Sequence, residues 1–461
     1  MPVNSFDSYY MSWVPQKPAD NTPLYKSFAR QLEDAILSSS LSPNTLLPPQ
    51  RELADYLDVN LSTITKAYKI CEQKGYIYAI TGKGTFVSPN ALLYKNTVPS
   101  REKEINLRTI EPFHDTDIFV KNAVQRIAKR PTFKQLLTYQ ASDLSDYHKR
   151  SALQYLQQLN VPATLEHIII SSGSQNAMTI AMLSVFHAGD RIAVDSFTYH
   201  HFKMLAHFLH IQLYPIENDF YGMLPDRLDF VCNRYAIQGV YLMPSCSNPT
   251  AIEMPLERRK KIAEIISKHH LLVLEDDSYR FLSDISCPTF YELLPEQTLY
   301  INSTTKVLSS GIRIAYLLFP DRLQNRILNA ERATNLHYIS LDAEIISELI
   351  NSGDYLKMQQ SNKTLAEERN ALYSSIFGIQ DSHINPYSLH RWLPLGCSNQ
   401  SLIEQLHTGQ ISVMESQLFN AGTCNADYYI RIALSSENDI HTLGNALRAI
   451  ALSCQSLLHS M

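Results

Sequence analysis

From about residue 113 to the C-terminus, short apolar runs alternate with helical stretches, and this alternation constrains the chain more than any other feature. The runs are His167 to Ser171, Arg191 to Asp195, Gln238 to Met243, Leu271 to Glu275, Leu299 to Asn302 and Ile312 to Leu318. Helical spacing fills most gaps, as in Ser174 to Phe186 and Leu256 to His269. Strands that are apolar on both faces and separated by helices predict a mainly parallel sheet covered by helices, an α/β architecture. Ligands of such a sheet bind beyond the carboxyl ends of its strands. From about Pro386 the pattern mixes strands and helices, which reads as a smaller C-terminal α+β subdomain.

The N-terminal part has another rhythm. Leu24 to about Ser38 places Phe28, Leu32, Ala35 and Ile36 at helical spacing. Arg51 to Asp58 makes a short helix after Pro48 and Pro49. Val59-Asn60-Leu61 reads as a turn, and Ser62 is expected to cap a second helix running to about Gln73. Gly75 stops it, and Tyr76 to Ile80 and Thr85 to Val87 flank Thr81-Gly82-Lys83-Gly84 as a β-hairpin. Helix, tight turn and capped helix form a winged helix-turn-helix pattern. Ser62, Thr63 and Thr65 can then reach bases or phosphates, Arg51, Lys66 and Lys69 phosphate, and Lys83 the backbone or minor groove. On spacing alone, a small helical capping domain is an equal reading.

Composition limits the partners. Forty Lys+Arg against 45 Asp+Glu leave a net charge of -5, so contact with nucleic acid must come from a local element. Residues 1–90 hold eight Lys+Arg and eight Asp+Glu, so one copy should bind DNA weakly and two copies would help. No apolar run approaches the ~20 residues of a membrane span. The seven cysteines are scattered without CxxC pairs, and Met1 to Tyr10 lacks a secretion signal, so a cytoplasmic location is expected. Residues 89–112, with Pro89, Pro99, Pro112 and the charge run Arg101 to Glu104, are expected to link domains 1–88 and 113–461. His200, His201, His207 and His210 lack zinc-ligand spacing, and scattered helix histidines are the favoured reading.

The strand-to-helix loops of the larger part carry what a phosphorylated pyridine aldehyde requires. Lys306 follows an apolar strand and Ser303-Thr-Thr, and can form an imine. Ser303, Thr305 and Arg313 can bind phosphate, with the amides of Ser174 and Gln175 after Gly173. Asp276 ends the strand from Leu271, where a carboxylate is costly unless a cation such as a pyridinium pairs with it. Tyr279 and Asn248 can bond the ring oxygen, and Tyr199 can stack on the ring. Taken singly, each has an ordinary explanation as a turn, a cap or a surface lysine; their joint order carries the weight.

Two resemblances follow. Residues 23 to 87 resemble the winged helix of the GntR family, through Pro23-Leu24-Tyr25, Leu47-Pro-Pro-Gln-Arg-Glu-Leu-Ala54, Ala67-Tyr68 and Gly75-Tyr-Ile77 through Gly82-Lys-Gly-Thr-Phe-Val87. The family usually has Ser and Arg where this chain has Asn60 and Leu61. Residues 113 to 461 resemble the fold-type-I aminotransferases, through Ser171-Ser-Gly-Ser-Gln175, Ser247-Asn-Pro-Thr250, Leu274-Glu-Asp-Asp-Ser-Tyr279, Ser303-Thr-Thr-Lys306 with Gly311-Ile-Arg313, and Tyr429-Ile-Arg431. That resemblance implies a pyridoxal 5'-phosphate cofactor, with Lys306 as the Schiff-base lysine and Asp276 as the pyridine partner. It also implies Arg431 as a clamp for an amino-acid carboxylate, and Tyr139 as a phosphate ligand lent to the neighbouring subunit of a homodimer with shared sites. Leu144, Ala251 and Cys246 depart from the family's usual Gly, Gly and His.

The fusion resembles the MocR subfamily of GntR-type regulators. It implies a transcription factor that binds a double-stranded operator and senses an amino acid, an amine or the cofactor itself. The alternative is an active aminotransferase with an accessory DNA-binding domain, which the presence of Lys306, Asp276 and Arg431 leaves open.

Overall fold

The computed structural model describes all residues except 1–10, 19–21, 38–39, 81, 89–90, 92–103, 139–141, 336, 380–382, 396–399, 423–427 and 459–461. The chain divides into two compact units, residues 1–100 and 101–461.

In the smaller unit, α1 (Leu24–Leu37), α2 (Gln50–Tyr56) and α3 (Leu61–Gln73) precede a hairpin of β1 (Ile77–Ile80) and β2 (Gly84–Val87). Its core is Phe28, Leu32, Ile36, Leu53, Ile64, Cys71 and Val87, each essentially inaccessible. Full burial of each large apolar side chain stabilises by about 1.5–3 kcal/mol. Tyr68 pins α3 to the loop before α2, its hydroxyl donating to the Pro48 carbonyl at 2.9 Å. The expected capping residue is corrected. Asn60 caps α3, its Oδ1 accepting from the Ser62 amide at 2.8 Å, and Leu61 is the first helical residue. Asn60 sits one residue before the helix in extended backbone, where its short carbonyl reaches the second free N–H; Ser62 is already inside the first turn.

The larger unit opens with a short strand, β3 (Ile105–Asn106), then α4 (Asp117–Ala128) and α5 (Ser142–Gln158). The succession β4 (Ile168–Ser171), α6 (Ser174–Val185), β5 (Arg191–Asp195), α7 (His200–Phe208) and β6 (Gln212–Ile216) follows. A small hairpin, β7 (Asn218–Asp219) with β8 (Gly222–Met223), leads to α8 (Pro225–Arg234), β9 (Gly239–Leu242), α9 (Leu256–Lys268) and β10 (Leu272–Asp276). Then come α10 (Phe290–Leu293), β11 (Thr298–Ser303), β12 (Ala315–Leu318) and helices α11 (Gln324–Thr334), α12 (Ser340–Asn351) and α13 (Asp354–Phe377). The central sheet has seven strands in the order β4-β12-β11-β10-β9-β5-β6. All pairings are parallel except those of β12, which runs antiparallel to both neighbours. β4, β9, β11 and β12 are buried along their whole length, which is why they read as unbroken apolar runs.

The C-terminal part adds β13 (His390–Pro394), α14 (Gln400–Thr408), β14 (Ile411–Ser412), β15 (Met414–Glu415), β16 (Tyr429–Ala433) and α15 (Ile440–Leu458). Its three-stranded sheet, β13-β16-β15, has its own core of Leu393, Ile430, Ile432, Leu443 and Leu447. Here the expected linker of 89–112 is shortened. β3 pairs in parallel with β14, Leu107 enters this core, and residues 104–112 belong to the larger unit. No described helix is long and apolar enough to cross a membrane.

The packing generates a stability prediction. A Cβ on Gly239, central in the sheet, would lie 2.6 Å from Phe186 Cζ and 2.9 Å from the Leu272 carbonyl oxygen. The Leu272 carbonyl is backbone and cannot rotate away. Gly239→Ala should therefore destabilise the protein by about 1–3 kcal/mol, read as a lower urea midpoint at unchanged m-value.

Candidate functional site

The site is built at the carboxyl ends of the central strands. Asp276 is the last residue of β10 and is 4 % exposed. Its carboxylate accepts from Ser278 Oγ at 2.6 Å and from the Tyr241 hydroxyl at 3.2 Å. Tyr241 is held by stacking on Phe202, with ring centroids 3.8 Å apart. Burial pushes the Asp276 carboxyl up from its ordinary range. Among the described residues, no Lys or Arg forms an ion pair with it. A buried carboxylate supplied only with neutral donors suits a cationic ring nitrogen.

Lys306 follows β11 and points the other way in charge. Burial pulls its amine down to about 8; Arg431 and Arg313 add to the effect, while Glu111 and Asp276 oppose it. Its Nζ donates to the Ile110 carbonyl at 2.5 Å. Ser303 and Thr305, both buried, bond each other at 3.2 Å. The Arg313 guanidinium lies against Gly173, where a Cβ would sit 3.0 Å from Nη2 and 3.1 Å from Nε. Gly173 has φ +89°, a second reason for glycine there. α6 begins at the next residue, so Arg313 flanks the free first-turn amides of Ser174 and Gln175. A fork of donors beside a helix N-terminus is equipped to take a phosphate.

Tyr199 immediately precedes α7. Its hydroxyl bonds His201 Nδ1 at 3.0 Å. Burial, with Asp276 adding to it, pushes the phenol up to about 12 against the opposing pull of Arg431 and Arg313. Arg431, in β16, is 3 % exposed. It donates to Asn248 Oδ1 at 2.8 Å and to the Arg108 carbonyl, touches Met414 Sδ, and lies 5.0 Å from the centre of the Phe419 ring. Its Nε has no partner among the described residues, and burial pulls the guanidinium down to about 10. Tyr279 is buried, with its phenol pushed well above the ordinary value by burial, and Asn248 is 4 % exposed. Tyr139 lies outside the described residues.

Taken together, the buried carboxylate lacking a cation, the depressed lysine, and the guanidinium seated where a glycine makes room fit pyridoxal 5'-phosphate. Lys306, Asp276, Tyr199, Asn248, Tyr279, Ser303, Thr305, Arg313, Ser174 and Gln175 would hold it. No group of three or more metal-ligating side chains occurs among the described residues, and burial holds His200 well below the ordinary histidine value.

Residues 102–450 match the family described as aminotransferase class I and II, and residues 24–87 match bacterial regulatory proteins, gntR family. Over 456 residues the chain is 33 % identical to a Bacillus subtilis (strain 168) protein named as an uncharacterized HTH-type transcriptional regulator, YdeF, covering 97 % of this chain and 98 % of that one. It is 24 % identical, over 77 % of each chain, to the probable rhizopine catabolism regulatory protein MocR of Rhizobium meliloti. The chain belongs to the MocR subfamily. Its fold matches Pyrococcus horikoshii kynurenine aminotransferase with a TM-score of 0.70 at 17 % identity, covering 83 % of this chain and 97 % of that one. It matches the α-aminoadipate aminotransferase LysN of Thermus thermophilus, whose structure holds N-(5'-phosphopyridoxyl)-L-leucine, with a TM-score of 0.68 at 20 % identity, covering 78 % and 94 %. The cofactor of this MocR protein is pyridoxal 5'-phosphate, and its winged helix is a DNA-binding domain.

On the winged helix of this MocR protein, Arg51, Ser62, Thr65, Lys66, Lys69 and Lys83 are exposed and Thr63 is half-buried. Thr65 Oγ1 donates to Gln50 Oε1 at 2.8 Å, and the Lys66 ammonium sits 5.7 Å from the centre of the Tyr25 ring. Leu61, where the family usually carries Arg, is 39 % exposed at the start of α3. Sequence reasoning missed Tyr241, Ser278, Phe419 and the carbonyls of Arg108 and Ile110. The carbonyls leave no trace in residue type, since any residue supplies one.

The depressed lysine sets a pH prediction. Only the neutral amine attacks an aldehyde, so capture of pyridoxal 5'-phosphate by cofactor-free protein should accelerate about tenfold per pH unit and level off above about 8. Stopped-flow absorbance gives this profile. A plateau that arrives only near the ordinary lysine value would contradict the burial of Lys306, and Lys306→Ala should show no such absorbance.

Proposed function

We propose that this protein is a cytoplasmic, pyridoxal-phosphate-dependent transcription factor that senses an amino acid, an amine or the cofactor itself at Lys306. When bound, the cofactor supplies an aldehyde for which primary amines compete, that of Lys306 or that of an effector. Asp276 orients the ring through its nitrogen, Tyr199 covers a face, and Asn248 and Tyr279 bond the ring oxygen. Arg313, Ser303, Thr305 and the first turn of α6 hold the phosphate. The observation that carries the effector reading is Arg431. A buried guanidinium with an unpartnered Nε, and no carboxylate paired with it among the described residues, is equipped to take an anion in the same pocket as Lys306.

The protein acts as a homodimer in this reading, with Tyr139 reaching the partner's phosphate site. The electrical neutrality of residues 1–90 supports it, because a neutral reader needs a second copy to hold an operator. In DNA contact, Arg51, Lys66, Lys69 and Lys83 take phosphates, and Ser62, Thr63 and Thr65 face bases or phosphates.

Footprinting on the gene's own upstream region, beside single-turnover assays with a panel of amino acids, tests the proposal. Selective protection with negligible keto-acid formation is expected. Fast turnover without DNA binding would instead establish an aminotransferase, the reading that the assembled Lys306, Asp276 and Arg431 also permit. Arg431→Ala should weaken amino-acid effectors at least tenfold in spectroscopic titration and leave cofactor affinity unchanged; an unaltered effector affinity would remove the clamp. Lys66→Ala should lower DNA affinity and reduce the salt slope by about one. An undiminished slope would mean that Tyr25 keeps Lys66 from phosphate.

A further inference from the structure

Lys306 and Arg431 come from different elements, yet each donates to a main-chain carbonyl of one short segment. Lys306 Nζ bonds the Ile110 carbonyl at 2.5 Å, and Arg431 Nη2 bonds that of Arg108. The segment is firmly fixed at its ends. The Ile105 amide donates to the Gln410 carbonyl at 2.8 Å, the Leu107 amide to that of Ser412 at 2.9 Å, and the Ala433 amide to the Leu107 carbonyl at 2.8 Å. At the far end, Phe113 is buried under the Arg369 guanidinium, 4.6 Å from its ring centre. Within the middle, the Arg108 and Thr109 amides turn back to Asn106 Oδ1 at 3.0 and 3.4 Å. The middle is held by burial of the Ile110 side chain in the main core and by the bonds from Lys306 and Arg431, and those two bonds are the holds that a ligand can contest.

We propose that residues 107–111 form a strap whose middle is fastened by Lys306 and Arg431 and is released in two stages, by cofactor and then by effector. The proposal rests on reading this pocket as an amine sensor. Lys306 cannot remain an ammonium donor to Ile110 once its amine is committed to the cofactor. Arg431 has a limited set of N–H groups, and a carboxylate competes for them far better than a neutral carbonyl. Each loss leaves a main-chain acceptor that must find another donor or move towards water. The strap directly follows β3, the first described element of the larger unit, so occupancy of the pocket is converted into freedom of the main chain next to that anchored strand.

Hydrogen–deuterium exchange on the full chain tests this with the peptide spanning 104–113, using β11 as an internal control for the fold. Adding pyridoxal 5'-phosphate to wild-type protein should speed strap exchange by roughly tenfold, with β11 unchanged. Lys306→Ala without cofactor should reproduce that rate, and Arg431→Gln should accelerate exchange without any effector. Unchanged or slower strap exchange in wild-type protein whose cofactor absorbance has formed overturns the strap and leaves the sensor reading standing. Failure to form the absorbance removes the sensor reading, while the ligand-free Lys306→Ala comparison still decides the strap, unaltered exchange there refuting it.

Discussion

A carboxylate at the end of a buried strand, with hydroxyls but no cation beside it, is the constraint around which the larger unit is arranged. Asp276 is carried into low-dielectric surroundings by the sheet itself, and Tyr241 and Ser278 compensate only part of the lost hydration. Lys306 and Arg431 are buried nearby, close enough for Arg431 to act on the Lys306 amine, and among the described residues neither forms an ion pair with Asp276. The scaffold therefore holds opposite charges near one another without letting them pair. Uncompensated buried charge of this kind costs stability, and in the proposed function a cofactor with a cationic ring nitrogen and an effector with a carboxylate would offset it on binding. Glu344, elsewhere in the unit, differs. Arg130 forms an ion pair with it and His148 Nε2 lies 2.9 Å from its Oε2, so its carboxylate is met by the protein's own side chains.

How much of this is legible from residues depends on the length over which a signal repeats. The runs at Ile168–Ser171, Gly239–Leu242 and Thr298–Ser303 announce buried strands because both faces are covered. β6 is hard to see because it is an edge strand, partly exposed, with Pro215 within it. β3 is two residues long and pairs with a strand some three hundred positions away in sequence, so no local pattern exists to read. At the site, Lys306, Asp276 and Arg313 stand out because chemistry demands their type. Gly173 reads as a turn, and only the approach of the Arg313 guanidinium shows that it also makes room for that side chain. Asn60 rather than Ser62 caps α3 because the cap belongs to the residue with extended backbone, which composition does not reveal.

The two units divide the work along lines their electrostatics dictate. The winged helix has the shape of a DNA reader but no surplus of positive charge, and an exposed Leu61 begins the helix that would enter the groove. Non-specific attraction to phosphate is then weak, and binding has to come from fit, which the proposed homodimer would repeat over two half-sites. A reader of that kind is sensitive to the spacing and freedom of its two copies. A strongly basic domain would stay bound through wide changes in geometry. In the proposed homodimer, the neutral one would lose affinity when its partner copy could no longer reach a second half-site. Modest charge on the DNA-binding side and unpaired charge in the pocket are therefore complementary. In the proposed function, ligand binding in the pocket would supply free energy, of which a small share, a few kcal/mol at most, would be enough to change occupancy of an operator.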